Sequence, residues 1–158
     1  MTNMQTPEQT AALLVAAAER SESIVSVVEE DGAAGVWLVE METGAECLVE
    51  RVAEPLRLVL TSAIGWPDPD RLVELLQAAL SFNSMLEQTL GTRVACDNDG
   101  PQLLLLQELY PESLEMHSMD QHLANFEALR SWWSLVLQRP PADLDRKKFL
   151  TELAALRV

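Results

Sequence analysis

Cysteine is scarce in this chain of 158 residues, where only Cys47 and Cys96 occur. Two thiols so far apart in the sequence form neither a zinc-binding motif nor a redox pair. Long apolar runs are also missing, since no stretch approaches the roughly 20 residues that span a bilayer. The first nine residues lack the basic segment and apolar run of a secretory signal. We therefore expect a cytoplasmic protein whose thiols are reduced.

Positive charge is the second scarcity. The chain has 11 lysines and arginines against 25 aspartates and glutamates, a formal net charge of −14, and its only lysines are Lys147 and Lys148. So negative a surface repels nucleic acid phosphates and anionic lipid, so we expect no nucleic acid partner and no membrane partner. A basic protein partner or a solubilising role fits better. Hydrophobic residues make up 48% of the chain, which is typical of a folded domain with a core.

Sequence motifs of enzymes and cofactor sites are absent as well. There is no nucleophile elbow, phosphate-binding loop or dinucleotide fingerprint. His117 and His122 have no further ligand at metal-binding spacing. Asp97 begins a segment that resembles a calcium loop, but Gln102 stands at the sixth position, where such a loop needs glycine. We therefore predict no catalytic residue, no cofactor and no metal, and we do not expect an enzyme.

The apolar pattern predicts alternating helical and extended segments. Thr6 and Gln9 form a capping box for a first helix. Short runs at 24–28, 36–41, 47–52 and 56–61, separated by turn residues, indicate an antiparallel meander. Asp68 and Pro69 begin a second helix that ends near Asn83 or Met85.

Two strands and two helices are predicted in the rest of the chain. Strands lie at 93–97 and 103–106, and the four consecutive leucines of the latter predict a strand covered on both faces. The longest helix begins at Ser118 and ends at Arg139, and a last amphipathic segment covers 143–156. We therefore predict one domain over 1–139 and an appended C-terminal helix within 140–158, with Pro140-Pro141 as a hinge.

Two apolar features leave alternatives open. Trp132 and Trp133 are about 100 degrees apart on a helix, so we expect one in the core and the other at a margin or interface. The consecutive apolar residues Val36 to Val39 predict a strand with apolar groups on both sheet faces. Either both faces are buried, or one face is open to a partner.

An ordered set of local features resembles the class I type III secretion chaperones, the Tir chaperone-like family. The resemblance covers roughly residues 6 to 138. Four features carry it. The second helix ends in a small-Asn segment, Leu80-Ser81-Phe82-Asn83, and a short strand with an acidic-Gly turn follows, Val94 to Asp97 with Asp99-Gly100. A leucine-rich strand then ends at a proline, Leu103 to Pro111, and the long helix carries a pattern of apolar residues, Leu123, Phe126, Trp133 and Leu137.

This resemblance implies an α+β fold of order α-β-β-β-α-β-β-α, with a twisted antiparallel sheet and helices on it, to which the C-terminal helix of this chain is an addition. It implies a homodimer that holds the N-terminal segment of a bacterial effector in extended form and keeps it soluble, with the secretion apparatus as a further candidate partner. Candidate groove residues for the effector are Leu14, Ala18, Val25, Val27, Trp37, Val39 and Leu58. Candidate dimer-interface residues are Leu72, Leu76, Ala79, Asn83, Val94 and Cys96.

Three other functions compete with an effector chaperone. An acidic adaptor of the same fold without an export role has the same composition. An inhibitor that mimics DNA would need carboxylates spaced like phosphates along one face, whereas here they are spread through turns and strands. An enzyme would need a deep pocket with converging polar groups.

Overall fold

The computed structural model describes residues 4–139 and 146–156. It contains five α-helices, six β-strands and one short 3-10 helix over these residues. The elements follow in the order α1 (Pro7–Arg20), β1 (Ile24–Glu29), β2 (Val36–Met41), β3 (Glu46–Val52), β4 (Arg57–Gly65), the 3-10 helix (Pro69–Arg71), α2 (Leu72–Asn83), β5 (Arg93–Cys96), β6 (Leu103–Leu109), α3 (Pro111–Met116), α4 (Met119–Gln138) and α5 (Arg146–Ala155).

Local sequence signals explain where the first two long helices begin. The Thr6 side chain accepts the Gln9 amide, and the Gln9 side chain accepts the Thr6 amide, so the predicted capping box of α1 is present. Asp68 caps the 3-10 helix by accepting the Asp70 amide at 3.0 Å. The α-helix that follows ends at Asn83, at the shorter of the two predicted boundaries.

The strands form one sheet with the order β1-β2-β3-β4-β6-β5. The first four strands make an antiparallel meander, in which Trp37 lies opposite Val49, and Val49 opposite Leu60. Strand β5 pairs antiparallel with β6, with Val94 opposite Leu105. The predicted α+β class with an antiparallel sheet is confirmed, and all four early apolar runs are strands, one more than the three of the implied element order.

The fold divides into two compact units, which we describe separately. The first comprises the chain up to Ser62 together with Gln107–Glu127. Its core combines α1, the buried faces of the meander and the first half of α4. The largest side chains fully buried there are Trp37, Phe126, Met4, Leu14, Met41, Leu58 and Leu60.

The second unit comprises Ala63–Leu106 and the chain from Ala128 onward. Its core is aromatic, because Phe82 of α2 packs edge-on against Trp133 of α4 with ring centroids 5.3 Å apart. Arg71 fixes the end of α4 by donating to the carbonyl oxygens of Leu137, at 3.2 Å, and Arg139. These bonds satisfy carbonyl groups that a helix end leaves without partners.

The local structure differs from the prediction at three places. The leucine run of β6 is not covered equally on both faces: Leu103 and Leu105 are fully buried, while Leu104 and Leu106 are half-buried. The short helix α3 follows β6 directly and was not predicted. Trp132 and Trp133 are both buried, because Phe149 of α5 covers the Trp132 ring at a centroid distance of 4.7 Å.

The predicted C-terminal helix is present as α5. Its apolar residues Phe149 and Leu153 are buried, whereas Leu150 is exposed. The Pro140-Pro141 hinge and the predicted start of the helix at Asp143 and Leu144 lie outside the described residues. The domain boundary at 139/140 therefore stays a prediction.

Candidate functional site

The seven candidate groove residues fall into two groups. Four of them are core residues of the first unit: Leu14, Trp37, Val39 and Leu58, none more than 2% exposed. The other three are accessible to different degrees: Ala18 and Val27 are half-buried, and Val25 is 60% exposed. Within this chain the accessible part of the predicted groove is therefore strand β1 and the helix before it.

Strand β1 forms one border of the sheet and carries an apolar sequence there. Val25 and Val28 are both about 60% exposed. The Glu30 amide donates to the Val36 carbonyl oxygen at 2.9 Å, so by strand alternation the backbone groups of Val27 and Glu29 face away from β2. The strand contains neither lysine nor proline, residues that commonly protect sheet edges. A register shift between Ile24 and Ser26 is its one irregularity.

The other border of the sheet, strand β5, is closed at its centre by a side chain. The Asn83 amide group donates to the Val94 carbonyl oxygen at 2.9 Å, and the Val94 amide donates to the Asn83 Oδ1 at 2.8 Å. Asn83 therefore occupies both backbone groups that a further strand would need at this position. The two borders of the sheet differ in their capacity to accept an added strand.

The candidate dimer residues are partly covered within the chain. Ala79 and Val94 are buried, Leu72, Leu76 and Asn83 are half-buried, and Cys96 is exposed. The most exposed apolar side chains of α2 are Val73, at 72%, and Leu80, at 69%. Neither is among the predicted dimer residues.

The missed residues had a usable signal in the sequence. Val73 and Leu80 are seven residues apart, and Leu75 and Ala79 form a separate stripe. Because α2 is apolar on most of its circumference, spacing alone could not decide which stripe faces the core. The same ambiguity hid Val28, because the consecutive valines Val27 and Val28 place apolar groups on both faces of β1.

The two cysteines lie in opposite environments. Burial raises the pKa of the Cys47 thiol to about 12, and the nearby Glu127 carboxylate adds to this effect. Cys96 is exposed on β5. A thiolate-directed reagent should therefore modify Cys96 and leave Cys47 intact in the folded protein.

Among the described residues, no three histidine, cysteine or acidic side chains are grouped as a metal site, and no helix is long and apolar enough to cross a membrane. Two accessible apolar features of the described residues lie on one strand and one helix. They comprise an open apolar sheet border and an exposed apolar helix face.

Comparisons with known proteins point the same way. The family model of the Tir chaperone protein (CesT) family matches residues 29–134. A comparison with curated proteins gave no match.

Two solved structures share the fold. A chain of the crystal structure of the ExsC-ExsE complex aligns with a TM-score of 0.64 at 19% identity, covering 85% of this chain and 97% of that one. A chain of the HopA1-SchA chaperone-effector complex aligns with a TM-score of 0.58 at 18% identity, covering 82% and 92% respectively.

Proposed function

Because this chain belongs to the Tir chaperone protein (CesT) family, which its match over residues 29–134 shows, we propose that it is a cytoplasmic chaperone for a type III secretion effector. It holds the effector's N-terminal segment in extended form and keeps that segment soluble until export. Membership in a chaperone family indicates a protein that acts by binding rather than by catalysis.

The open border of β1 is the observation that carries this proposal. A guest segment in extended conformation adds to β1 as a further strand, bonding to the outward backbone groups of Val27 and Glu29. Its apolar side chains pack beside Val25 and Val28, which are exposed in the free chain. The HopA1-SchA structure, a chaperone-effector complex by its description, shares the fold and supports the assignment of an effector as the guest.

The acidic exterior supports the solubilising role. The sequence has 25 aspartates and glutamates against 11 lysines and arginines, a net charge of −14. A guest held on such a surface shares its charge, which opposes association between complexes.

A pair of chains completes the proposed chaperone. We assign the dimer contact to the α2 face formed by Val73, Leu76 and Leu80, with β5 beside it. Val73 and Leu80 are exposed in the free chain, and burying such side chains in a second copy is favourable by up to about 1.5–3 kcal/mol each.

The test uses a variant whose β1 border is blocked. Lysine on a strand edge opposes the addition of another strand, so Val25→Lys with Val28→Lys should abolish guest binding while leaving the fold intact. The control is Met116→Lys, because Met116 is also an exposed apolar residue of the first unit and lies on α3, outside the predicted groove.

Each protein is co-expressed with the effectors encoded near its gene, and the complex is measured by co-purification and by limited proteolysis of the effector. We expect the wild type and Met116→Lys to protect an N-terminal effector segment, and the β1 variant to protect none. Equal protection by the β1 variant would show that the guest binds elsewhere, and no protection by the wild type would overturn the chaperone proposal. An adaptor without an export role would bind its partner but leave secretion unchanged when its gene is deleted.

A further inference from the structure

The solvent-facing side of the meander carries two adjacent rows of side chains with different chemistry. Cross-strand partners point to the same side of a sheet, so the register defines each row. Ser26 lies opposite Glu40, and Glu40 opposite Glu46. The Ser26 hydroxyl donates to the Glu40 carboxylate at 3.1 Å, which confirms that these two side chains share a face.

The neighbouring row is apolar. Val28 lies opposite Leu38, and Leu38 opposite Leu48. Val28 is exposed and the two leucines are half-buried, so the row is open to solvent at the β1 border. On one face of β1, successive side chains are two residues and about 6.6 Å apart. The carboxylate row and the apolar row are therefore direct neighbours on this face.

Glu40 and Glu46 form an unusual pair. Like charges directly opposite each other on adjacent strands are destabilising. Both residues are exposed, and among residues 4–139 and 146–156 neither forms an ion pair with a lysine or arginine. Within the described part of the chain, this pair of carboxylates therefore has no neutralising cation.

We propose that this face selects guests that carry a basic residue and, two positions away, an apolar residue. The inference rests on the proposed function, because the guest is the strand added to β1. A lysine or arginine of the guest beside Ser26 extends over that small side chain and places its cation at Glu40 and Glu46. The guest residue two positions away, beside Val28, is apolar and packs on Val28 and Leu38.

Charge complementarity identifies the occupant as a polypeptide with a basic residue. A second copy of this chain is already assigned to the apolar face of α2, and its net charge of −14 opposes a contact at this carboxylate row. Anionic lipid and nucleic acid are repelled for the same reason. An extended segment with one cationic and one apolar side chain can contact the carboxylate row and the apolar row together.

The experiment uses the full chain and fluorescein-labelled peptides of about eight residues, the length of a long strand. The peptides share an alternating apolar pattern and differ only at one central position, which is arginine, lysine, glutamine or glutamate. Dissociation constants are measured by fluorescence anisotropy for the wild type, for Glu40→Gln with Glu46→Gln, and for a control with the same change in net charge, Glu54→Gln with Glu112→Gln. Glu54 and Glu112 are exposed residues outside the meander face.

We expect the wild type to bind the arginine and lysine peptides about fivefold more tightly than the glutamine peptide, as for an exposed ion pair. The control should keep this preference, and the Glu40/Glu46 variant should lose it. Without any peptide, the same variant should melt about 1–3 °C higher than the wild type, because the facing charges are removed.

The outcomes separate this inference from the proposed function. An unchanged preference in the Glu40/Glu46 variant, or a melting temperature at or below that of the wild type, overturns the inference. Equal binding of the arginine, lysine and glutamine peptides that is lost in the Val25→Lys, Val28→Lys variant overturns the inference and leaves strand addition at β1 standing. If the wild type binds none of the peptides, both are overturned.

Discussion

His122 shows how one buried side chain makes this fold depend on pH. It lies at the start of α4 and is almost fully buried, with its Nε2 atom 3.1 Å from the Ser113 carbonyl oxygen of α3. A carbonyl oxygen accepts, so Nε2 carries the proton. The buried Nδ1 has no hydrogen-bond partner among the described residues. Protonation of Nδ1 would therefore place a charge in a site without an acceptor.

Burial lowers the pKa of His122 below its ordinary value, His117 adds to this, and the bond to Ser113 partly opposes it. In the unfolded chain the pKa is about 6.5, so between the folded and unfolded pKa values the unfolded state binds more protons. Stability should therefore fall as the pH drops below about 6.5 and recover above it. We predict that His122→Gln reduces this loss.

Urea denaturation at about pH 7.5 and about pH 5.5, on either side of the unfolded value, measures the effect. His117→Gln is the matched control, because His117 is exposed and touches the same ring. The control removes only the smallest of the effects that lower the His122 pKa, so it should keep most of the wild-type loss between the two pH values, and the His122 variant should lose less. An equal loss in all three proteins would contradict the assignment to His122.

At the residue scale, the sequence predicted which side chains are apolar and on which elements they lie. It could not predict which ones the chain covers with its own core. Leu14 and Val39 were selected as candidate groove residues and are fully buried, whereas Val28 and Leu80 were not selected and are exposed. Strand and helix periodicity define faces, but the choice between two apolar faces depends on tertiary packing.

At the scale of elements, α5 packs into the core of the second unit. Phe149 packs on Trp132, and the Trp132 Nε1 atom donates to Glu152 at 3.2 Å. Arg139 forms a 2.5 Å ion pair with the same carboxylate and lowers its pKa. Apolar, aromatic and charged contacts all join α5 to the end of α4.

We predict that Phe149→Ala lowers the free energy of unfolding by about 3 kcal/mol, the low end for removal of a buried phenylalanine. Leu150→Ala, at an exposed neighbouring position, should change it by less than about 0.5 kcal/mol. Chemical denaturation followed by tryptophan fluorescence reports the change, since Trp132 lies in the contact. Equal stability of the two variants would show that α5 is not docked through Phe149.

Most element boundaries followed from local signals, and the exceptions have a physical reason. Helix caps at Thr6 and Asp68 and turns between the early strands are encoded within a few residues. The alternating burial of Leu103 to Leu106 is not encoded locally, because it depends on which elements cover each face of β6. Helix α3 is only six residues long and begins at Pro111 with no side-chain cap, so its sequence carries little signal.

At the scale of the whole molecule, the order of the strands determines which surfaces remain for partners. Sequence order alone predicts a meander of β1 to β4, but the insertion of β6 between β4 and β5 is a long-range choice that no local pattern records. That choice makes β5 a border strand. Asn83 then closes this border with its amide group, whereas β1 keeps an open one.

The exposed face of α2 yields the prediction for the assembled protein. Val73 and Leu80 lie two turns apart on one face of the helix, so a second copy that covers one also covers the other. A carboxylate there would be buried in an apolar contact, which costs its desolvation. Leu80→Glu should therefore convert a dimer into a monomer. Leu135→Glu, at an exposed position of α4, is the matched control and should leave the dimer intact.

Size-exclusion chromatography with light scattering measures the mass, and we expect twice the chain mass for the wild type and the control. A bismaleimide reagent gives an independent measurement, because Cys96 on β5 is exposed and Cys47 is buried. It should link two wild-type chains through Cys96, and neither the Cys96→Ala nor the Leu80→Glu protein. A monomeric wild type would contradict the assignment of this face. A Leu80→Glu protein that remained dimeric and crosslinked would place the contact on another surface.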